Sequence, residues 1–310
     1  MEDKKLEWHI ILNPISGGKK SLHLWKKIEP VLFDSAISFK KYESKFAGNT
    51  ISITQEIITL GGKNFILIGG DGTANEVING IFNSTNNPSE FTIAMISAGT
   101  GNDWIKTIGN YSSISTIVTS LNQKNTFLHD VGLLSFINDG KKNKRYFLNI
   151  AGLGFDGMVV KKLSEGKSIF KGTKIQYWLA ILRSLLFYQL KNITFLIDDV
   201  EKTSKTLTAA IGNCQYNGAG MKQLPNAIMD DGLLDITIIG DMPKWKMILN
   251  LPKLSNGTFI KLKEVKTYRA KKIVVTSKDL IFVEVDGEFV GETPAEISVI
   301  HRGIQVLKWL

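Results

Sequence analysis

FILIGGDGTANEVING, residues Phe65–Gly80, holds three structural signals in immediate succession. Phe65–Ile68 is a short apolar run typical of a buried strand. Gly69–Thr73 is a glycine-bearing loop, and apolar residues then recur at helical spacing over Ala74–Phe82. A strand, a glycine loop and a helix in this order predict a parallel α/β sheet, with the loop at the carboxyl end of the strand, where ligands bind.

The same alternation extends on both sides of this stretch. Trp8–Leu12 and Phe91–Ile96 are strand-like, and helical patterns lie between the strand signals. A mostly parallel sheet with helices on both faces is therefore expected for residues 1–128. Beyond them, segments of period two such as Leu233–Ile239 predict a mainly antiparallel β domain over residues 129–310. We expect the last residues of the chain to pack back on the first domain.

Composition favours a cytoplasmic protein. Cys214 is the only cysteine, so no internal disulfide can form. The four histidines stand far apart, without the spacing of zinc ligands, and the N-terminal residues do not read as a signal peptide. The longest apolar stretch, the predicted helix Ile175–Leu190, is interrupted by Arg183 and falls short of the ~20 residues that span a bilayer. Any membrane association is therefore expected to be peripheral, at the inner face of the membrane.

The positive charge is concentrated in the second part of the chain. The formal net charge is +9, of which residues 1–128 carry +1 and the remainder +8. Such an excess of positive charge suits binding to an anionic lipid surface or a nucleic acid. A solvated lysine-rich surface without a partner would give the same charge distribution. No recognised nucleic-acid motif accompanies it, so nucleic acid is not expected as a partner. The basic residues of this part include Lys161, Lys162, Lys261, Lys263, Lys266, Arg269, Lys271 and Lys272.

Three glycine-bearing loops follow three strand signals in the first domain: Asn13–Lys19, Gly69–Thr73 and Ala98–Asp103. Glycine allows close backbone approach to a ligand, and a following helix aims N–H groups and the positive end of its dipole at an anion. Each loop alone could be a tight turn, but the three together predict a site for nucleotide phosphates. The common phosphate loop G-x-x-x-x-G-K-[ST] is absent.

A further glycine motif, Gly152–Gly157, matches the dinucleotide pattern G-x-G-x-x-G. A dinucleotide site would need an acid about 20 residues further on. No acid occurs between Glu165 and Asp198. The motif is therefore interpreted as close packing of backbone against a helix.

These motifs, in this order, resemble the bacterial diacylglycerol-kinase-like lipid kinases, a group related to eukaryotic diacylglycerol and sphingosine kinases. The resemblance covers nearly the whole chain. GGDGT alone is shared with NAD kinases and phosphofructokinases, whereas GGDGT-x-NEV-x-NG followed by GTGND and a late DGE is more specific. The segments that carry the resemblance are NPISGGK from Asn13, GGDGTANEVING from Gly69, AGTGND from Ala98, FLNIAGLGFDG from Phe147, GAGMKQLPNAIMDDGLLD from Gly218 and VDGE from Val285.

The resemblance implies a three-layer α/β/α nucleotide domain and a second β-sandwich domain, with the active site in the cleft between them. It also implies ATP as co-substrate. Ser44 stands where the family usually has a threonine and keeps the hydroxyl. The implied ATP contacts are Asn13, Pro14, Ile15, Ser16, Gly17, Ser44, Gly69, Gly70, Asp71, Gly72, Thr73, Ala74, Asn75 and Thr100.

The resemblance further implies a Mg²⁺ site and a catalytic base in the second domain. The metal ligands would be the Asp231 side chain and the backbone carbonyls of Ile228 and Leu233. The base falls on Glu288, with Asp286 beside it. Two departures from the family pattern, Ser97 for a common proline and Ala219 within a usual glycine triplet, remove no reactive group.

Each of these acids also has a structural interpretation. Asp286 and Glu288 share one face if their strand continues, but Val-Asp-Gly-Glu is equally a good hairpin turn. Asp71 suits phosphate or metal ordering, and Asp103 could cap the helix that follows it. Asp231 could belong only to a turn.

The predicted function is therefore ATP- and Mg²⁺-dependent phosphorylation of a lipid hydroxyl, with diacylglycerol or a related glycerolipid as substrate. One alternative is another GGDGT kinase, acting on NAD or a sugar phosphate, which would need basic groups in the acceptor pocket. A second alternative is a lipid-binding protein without catalysis. The sequence identifies neither the lipid nor the oligomeric state.

Overall fold

The computed structural model describes residues 6–99, 101–165, 183–218 and 220–310. The chain divides into two compact units, one running up to Val131 and including His301–Leu310, the other comprising Gly132–Ile300. Most of the predicted helix Ile175–Leu190 lies outside the described residues, and residues 183–187 at its end are helical. No helix within the described ranges is long and apolar enough to cross a bilayer.

The first unit is built on a parallel sheet with the strand order β4-β3-β1-β2. Near the end of the chain, Gln305 and Val306 add a further parallel pairing beside β4. The strands are β1 (Glu7–Leu12), β2 (Ser38–Glu43), β3 (Asn64–Gly69) and β4 (Thr92–Ser97). The helices are α1 (Ser16–Asp34), α2 (Asn49–Thr59), α3 (Asp71–Phe82), α4 (Asp103–Ile108) and α5 (Ile114–Gln123), with a 3₁₀ turn at Pro88–Glu90. Near the start of α1, Gly17, Gly18 and Lys19 have non-helical backbone angles and belong to the first glycine loop.

Helices cover both faces of this sheet. Apolar residues of α1 and α5 share a core with alternate residues of β1, β3 and β4, including Trp8, Ile10 and Ile66. On the opposite face, His9 and Ile57 of α2 both lie against Gly62, and Gly80 of α3 packs on Thr54 of α2. Successive strand residues point to opposite faces, so the continuous apolar runs of these strands are buried on both sides. The predicted three-layer α/β/α architecture is confirmed.

The second unit is antiparallel in its described pairings. Its strands are β5 (Thr126–Asn138), β6 (Lys141–Phe147), β7 (Ile150–Gly154), β8 (Lys191–Ile197), β9 (Val200–Gly212), β10 (Leu234–Gly240), β11 (Val265–Ala270), β12 (Lys272–Thr276), β13 (Phe282–Val285) and β14 (Glu288–Leu307). Its helices are α6 (Phe155–Ser164), α7 (Lys244–Asn250) and α8 (Pro252–Asn256), followed by a 3₁₀ turn at Thr258–Lys261. The unit boundaries fall within β5 and β14.

Two long strands enclose the core of this second unit, because each pairs with different neighbours along its length. One part of β9 pairs with β7 and β10, and the other with β8. One part of β14 pairs with β13, and the next with β12. Apolar side chains from these strands, such as Leu153, Phe195 and Ile297, meet in one cluster. The predicted antiparallel β fold is confirmed.

The glycines of the Gly152–Gly157 motif serve packing. A β-carbon on Gly157 in α6 would lie 2.2 Å from the carbonyl oxygen of Phe282 in β13. No side chain could be accommodated there without moving backbone. The close packing predicted for this motif is therefore confirmed.

Candidate active site

The three glycine loops of the first unit converge. The side chain of Asn13, in the first loop, donates a hydrogen bond to the hydroxyl of Thr73 in the second, at 3.2 Å. The backbone N–H groups of Ala98 and Gly99, in the third loop, both donate to the carbonyl of Gly69, at 2.7 and 3.1 Å. One edge of the sheet thus gathers the backbone that the sequence predicted for phosphate binding.

Glycine is required in these loops for two different reasons. Gly17 and Gly18 have positive φ, and a β-carbon on Gly17 would lie 1.8 Å from the carbonyl oxygen of Ala98. Gly70 is extended, with φ of −126°. Glycine is required there because the neighbouring loop is close: a β-carbon would lie 3.3 Å from the Cα of Gly99. The loops can therefore hold a ligand against bare backbone.

Asp71 acts as a cap for a helix from another loop. Its carboxylate accepts hydrogen bonds from the backbone N–H groups of Asp103 and Trp104 at 3.0 and 3.2 Å, at the start of α4. Burial raises the pKa of Asp71, partly offset by the Asp103 hydrogen bond. The interpretation of Asp103 as the cap is wrong: Asn102 occupies the cap position, and Asp103 lies in the first turn with Lys106 at 2.6 Å.

The other predicted nucleotide residues lie around these loops. The N–H of Ser44 donates to the carbonyl of Leu12 at 3.0 Å, which places Ser44 at the carboxyl end of β1. Ala74 and Asn75 are buried in α3, whereas Ile15 is exposed. Thr100 lies outside the described residues.

The predicted catalytic acids flank a hairpin turn. Val285 pairs with Glu288, and the two residues between them, Asp286 and Gly287, have φ of 50° and 83°. Two consecutive residues of positive φ define a type I′ turn. The alternative of a continuous strand, with both acids on one face, is therefore wrong.

Asp286 fastens this turn to the beginning of β7. Its carboxylate accepts hydrogen bonds from the backbone N–H groups of Leu148, Asn149 and Ile150 at 3.1 to 3.3 Å. The side chain of Glu288 is partly exposed and pairs with Arg145 at 2.8 Å. The Asp286 carboxylate therefore holds the turn, and the Glu288 side chain remains 43% exposed to solvent.

The predicted metal ligands lie in the turn before β10. One carboxylate oxygen of Asp231 accepts from the N–H of Leu233 at 3.1 Å, and the other pairs with Arg269. Each carboxylate oxygen has two lone pairs, so both contacts leave acceptor capacity. Carboxylate and carbonyl oxygens are ligands of the kind that Mg²⁺ prefers, so the donor types at Asp231, Ile228 and Leu233 suit the ion. Within the described ranges, no cluster of three or more His, Cys, Asp or Glu residues is arranged to hold a metal.

A cavity of about 320 Å³ lies within the second unit. Most of its lining is apolar and comes from α6, α7, α8, β9 and the segment that precedes β11. Six polar side chains also line it, those of Asp156, Thr208, Asn217, Gln223, Asn250 and Glu284. Hydrogen bonds join four of them: Asp156, Asn217, Gln223 and Glu284. Gly287, the second residue of the hairpin turn, also lines the cavity. The apolar lining includes Phe155, Val159, Leu163, Leu185, Leu207, Met242, Met247, Leu251, Leu254, Phe259, Leu262 and Val265.

The two cavity acids were missed by sequence reasoning. Glu284 is 1% exposed, and burial together with the nearby charge of Asp156 raises its pKa to about 8. Asp156 lines the cavity, and burial raises its pKa to about 6. An available signal for Glu284 was a charged residue inside the apolar strand segment Ile281–Val285. Asp156 stood within a glycine motif that was interpreted only as packing.

Comparisons with known proteins agree with this fold. Residues 7–134 match the family model described as the diacylglycerol kinase catalytic domain. Residues 149–308 match the model of the YegS C-terminal NAD kinase beta sandwich-like domain. A diacylglycerol kinase of Mycobacterium tuberculosis (strain H37Rv) is 30% identical over 248 residues, 78% of this chain and 76% of that protein. These matches define a lipid kinase.

The chain belongs to the diacylglycerol kinase family, as its motifs indicated. Another relative, YtlR of Bacillus subtilis (strain 168), is named provisionally as a lipid kinase and is 28% identical over 94% of this chain and 96% of its own length.

Solved structures show the same fold. A structure titled as a diacylglycerol kinase from Bacillus anthracis superimposes with a TM-score of 0.71 at 21% identity, over 99% of this chain and 98% of that one. Yeast NADH kinase superimposes with a TM-score of 0.55 at 10% identity, over 99% of this chain and 85% of that one.

The buried acid Glu284 predicts a pH dependence of stability. Its pKa in the folded chain, about 8, exceeds its ordinary value of 4.5, so the folded state holds the proton more tightly than the unfolded state. The free energy of unfolding should therefore fall as the pH rises between these two values. Glu284→Gln, which cannot lose a proton, should flatten this fall when urea unfolding is measured from pH 5 to pH 8.

The control for this measurement is Glu292→Gln, which removes an acid from β14 outside the cavity. It should keep the fall in stability of the unmodified chain. A Glu284→Gln variant that loses as much stability with rising pH as the unmodified chain would contradict the assignment.

Proposed function

We propose that this chain transfers the γ-phosphoryl group of ATP, with Mg²⁺, to the hydroxyl of diacylglycerol or a related uncharged glycerolipid. The observation that carries the proposal is the apolar cavity of the second unit, which reaches the hairpin turn at Gly287. A soluble phosphorylated acceptor would need basic side chains around it. The described lining of the cavity holds no Lys, Arg or His.

The nucleotide is assigned to the three converging loops of the first unit. Their backbone N–H groups and hydroxyls, with the N-terminus of α3, suit phosphate oxygens. Phosphoryl transfer depends mainly on such positioning and on charge neutralisation. The proposed ATP contacts are the loop residues Asn13–Gly17, Gly69–Asn75 and Thr100, together with Ser44.

Glu288 is proposed as the general base. It accepts the proton of the lipid hydroxyl while the hydroxyl oxygen forms a bond to the γ-phosphorus. The bond from that phosphorus to the bridging oxygen breaks, and ADP leaves with the electron pair. Arg145, at 2.8 Å, orients the Glu288 carboxylate, and Asp286 positions the turn that carries it.

Asp231, with the backbone carbonyls of Ile228 and Leu233, is proposed to hold Mg²⁺. When bound, the ion would supply positive charge close to its ligands. Arg269 already pairs with Asp231 and keeps its carboxylate oriented in the turn.

Radiolabelled ATP with mixed micelles tests the function. The unmodified chain should phosphorylate diacylglycerol faster than NAD, and Glu288→Gln should lower kcat by about 10²- to 10⁴-fold, because a positioned base contributes about that much. ATP affinity, measured by equilibrium binding, should hold, since the nucleotide is assigned to the other unit.

Faster turnover on NAD than on any micellar lipid would contradict the substrate class. Lipid binding without any phosphoryl transfer would favour the non-catalytic alternative. A Glu288→Gln variant with near-normal kcat would remove Glu288 as the base.

The second part of the proposal is peripheral membrane association through an exposed apolar surface. We call it the α7 surface, and it consists of Leu186, Phe187, Trp245, Ile248 and Leu249. Trp245, Leu249 and Phe187 are 66%, 69% and 77% exposed. Lys244 donates to the backbone carbonyl of Leu186, which joins the two segments. On the other side of α7, Met247 lines the cavity, so this surface adjoins the assigned lipid site. An exposed tryptophan with leucines and lysines suits the interface of an anionic membrane.

Sedimentation with phosphatidylglycerol-containing vesicles tests this surface. The double substitution Trp245→Ala and Leu249→Ala should weaken binding about tenfold or more, because it removes apolar area that the membrane would bury. Phe33→Ala is the control, since Phe33 is 78% exposed in the first unit and should have no effect. Equal sedimentation of both variants, or equal binding to neutral vesicles, would exclude the α7 surface.

A further inference from the structure

We infer that Asp156 and Glu284, bridged by Asn217 and Gln223, form one headgroup site that admits an uncharged, hydroxyl-bearing lipid and rejects an anionic one. The inference rests on the proposed lipid kinase function and names the property of the lipid that this cavity selects.

A continuous set of hydrogen bonds joins the two acids. Asn217 donates to one carboxylate oxygen of Glu284 at 2.9 Å and to the side-chain oxygen of Gln223 at 3.4 Å. Gln223 in turn donates to Asp156 at 3.0 Å. All four side chains line the same cavity. They form its polar end, against a lining that is otherwise largely apolar.

The backbone around Glu284 accommodates and holds its carboxyl group. A β-carbon on Gly152, in β7, would lie 2.4 Å from a carboxylate oxygen of Glu284. The glycine therefore provides the space for a carboxyl group that is 1% exposed. The N–H of Gly287 donates to the other oxygen of Glu284 at 2.9 Å, which ties the headgroup site to the hairpin turn before Glu288.

The pair carries negative charge that no basic side chain of the described lining neutralises. Three N–H donors, from Asn217, Gln223 and Gly287, stabilise that charge, so a cationic ligand is not required to balance it. With pKa values of about 6 and about 8, the pair holds one proton near neutral pH. It then offers one hydrogen-bond donor and one ionised acceptor, which match a hydroxyl group.

An anionic headgroup would be repelled by the same charge. Two like charges about 6 to 8 Å apart, at an effective dielectric constant of about 20, lower affinity by about 30- to 100-fold. A glycerol hydroxyl carries no charge and escapes this penalty. The cavity is therefore expected to separate diacylglycerol from phospholipids that have the same acyl chains.

The test is equilibrium binding without nucleotide, in neutral detergent micelles at pH 7. Dioctanoylglycerol and dioctanoylphosphatidylglycerol share their acyl chains, and a charged phosphoglycerol group in the second replaces the free hydroxyl of the first. The unmodified chain should bind the uncharged lipid at least tenfold more tightly. Glu284→Gln and Asp156→Asn should each reduce this ratio, mainly by improved binding of the anionic lipid. Asp199→Asn, which removes an exposed acid at a positive-φ turn position, should leave it unchanged.

Equal binding of the two lipids by the unmodified chain would overturn the inference. The inference would also be overturned if both cavity variants kept the ratio of the two affinities, or if the unmodified chain bound neither lipid. Thermal melting of each variant establishes that it is folded, and the comparison within the unmodified chain does not depend on the variants. Tighter binding of the uncharged lipid without any phosphoryl transfer would support the headgroup site and contradict the proposed function. Phosphoryl transfer with equal binding of the two lipids would support the proposed function and contradict the headgroup site.

Discussion

The hairpin turn between β13 and β14 is held by the carboxylate of Asp286, which accepts three backbone N–H groups at the beginning of β7. In return, the N–H of Asp286 donates to the carbonyl of Ile150. Hydrogen bonds to an ionised acceptor are worth about 1.5 to 3 kcal/mol each, so this set can hold a turn whose first residue has an unfavourable positive φ. The turn fixes two directions at once: the N–H of Gly287 points to Glu284 in the cavity, and Glu288 begins the next strand beside Arg145.

In the proposed function, this constraint brings the lipid cavity and the proposed base to the same turn. The cavity ends at the turn that carries the proposed base, so a lipid held by its chains would bring its headgroup to that turn. Asp286, Glu284 and Glu288 are three nearby acids with different environments. Backbone N–H groups bind Asp286, burial raises the pKa of Glu284, and Glu288 is partly exposed. They follow one another at a spacing of two residues, and only their partners separate their roles.

Local signals carried most of the sequence-based prediction. The glycine loops lie directly after apolar strands, so their position at one sheet edge followed from the order of the motifs, and the α/β and antiparallel units followed from the periodicities. Features that depend on partners distant in the chain were missed. Asp71 caps a helix that begins at Asp103, and the cavity acid Asp156 has its partners at Gln223 and near Glu284. No periodicity encodes such pairs, because each is created by tertiary packing. The domain boundaries, the nucleotide contacts and the metal ligands stay predictions.

The most direct measurement is a crystal structure of the chain with dioctanoylglycerol and a non-hydrolysable ATP analogue. We expect an acyl chain among Val159, Leu207 and Phe259. The free hydroxyl should lie within hydrogen-bond distance of the Asp156–Glu284 pair or of Glu288, and the nucleotide phosphates should lie on the three glycine loops. An empty cavity with the lipid bound elsewhere, at a concentration that supports turnover, would contradict these expectations.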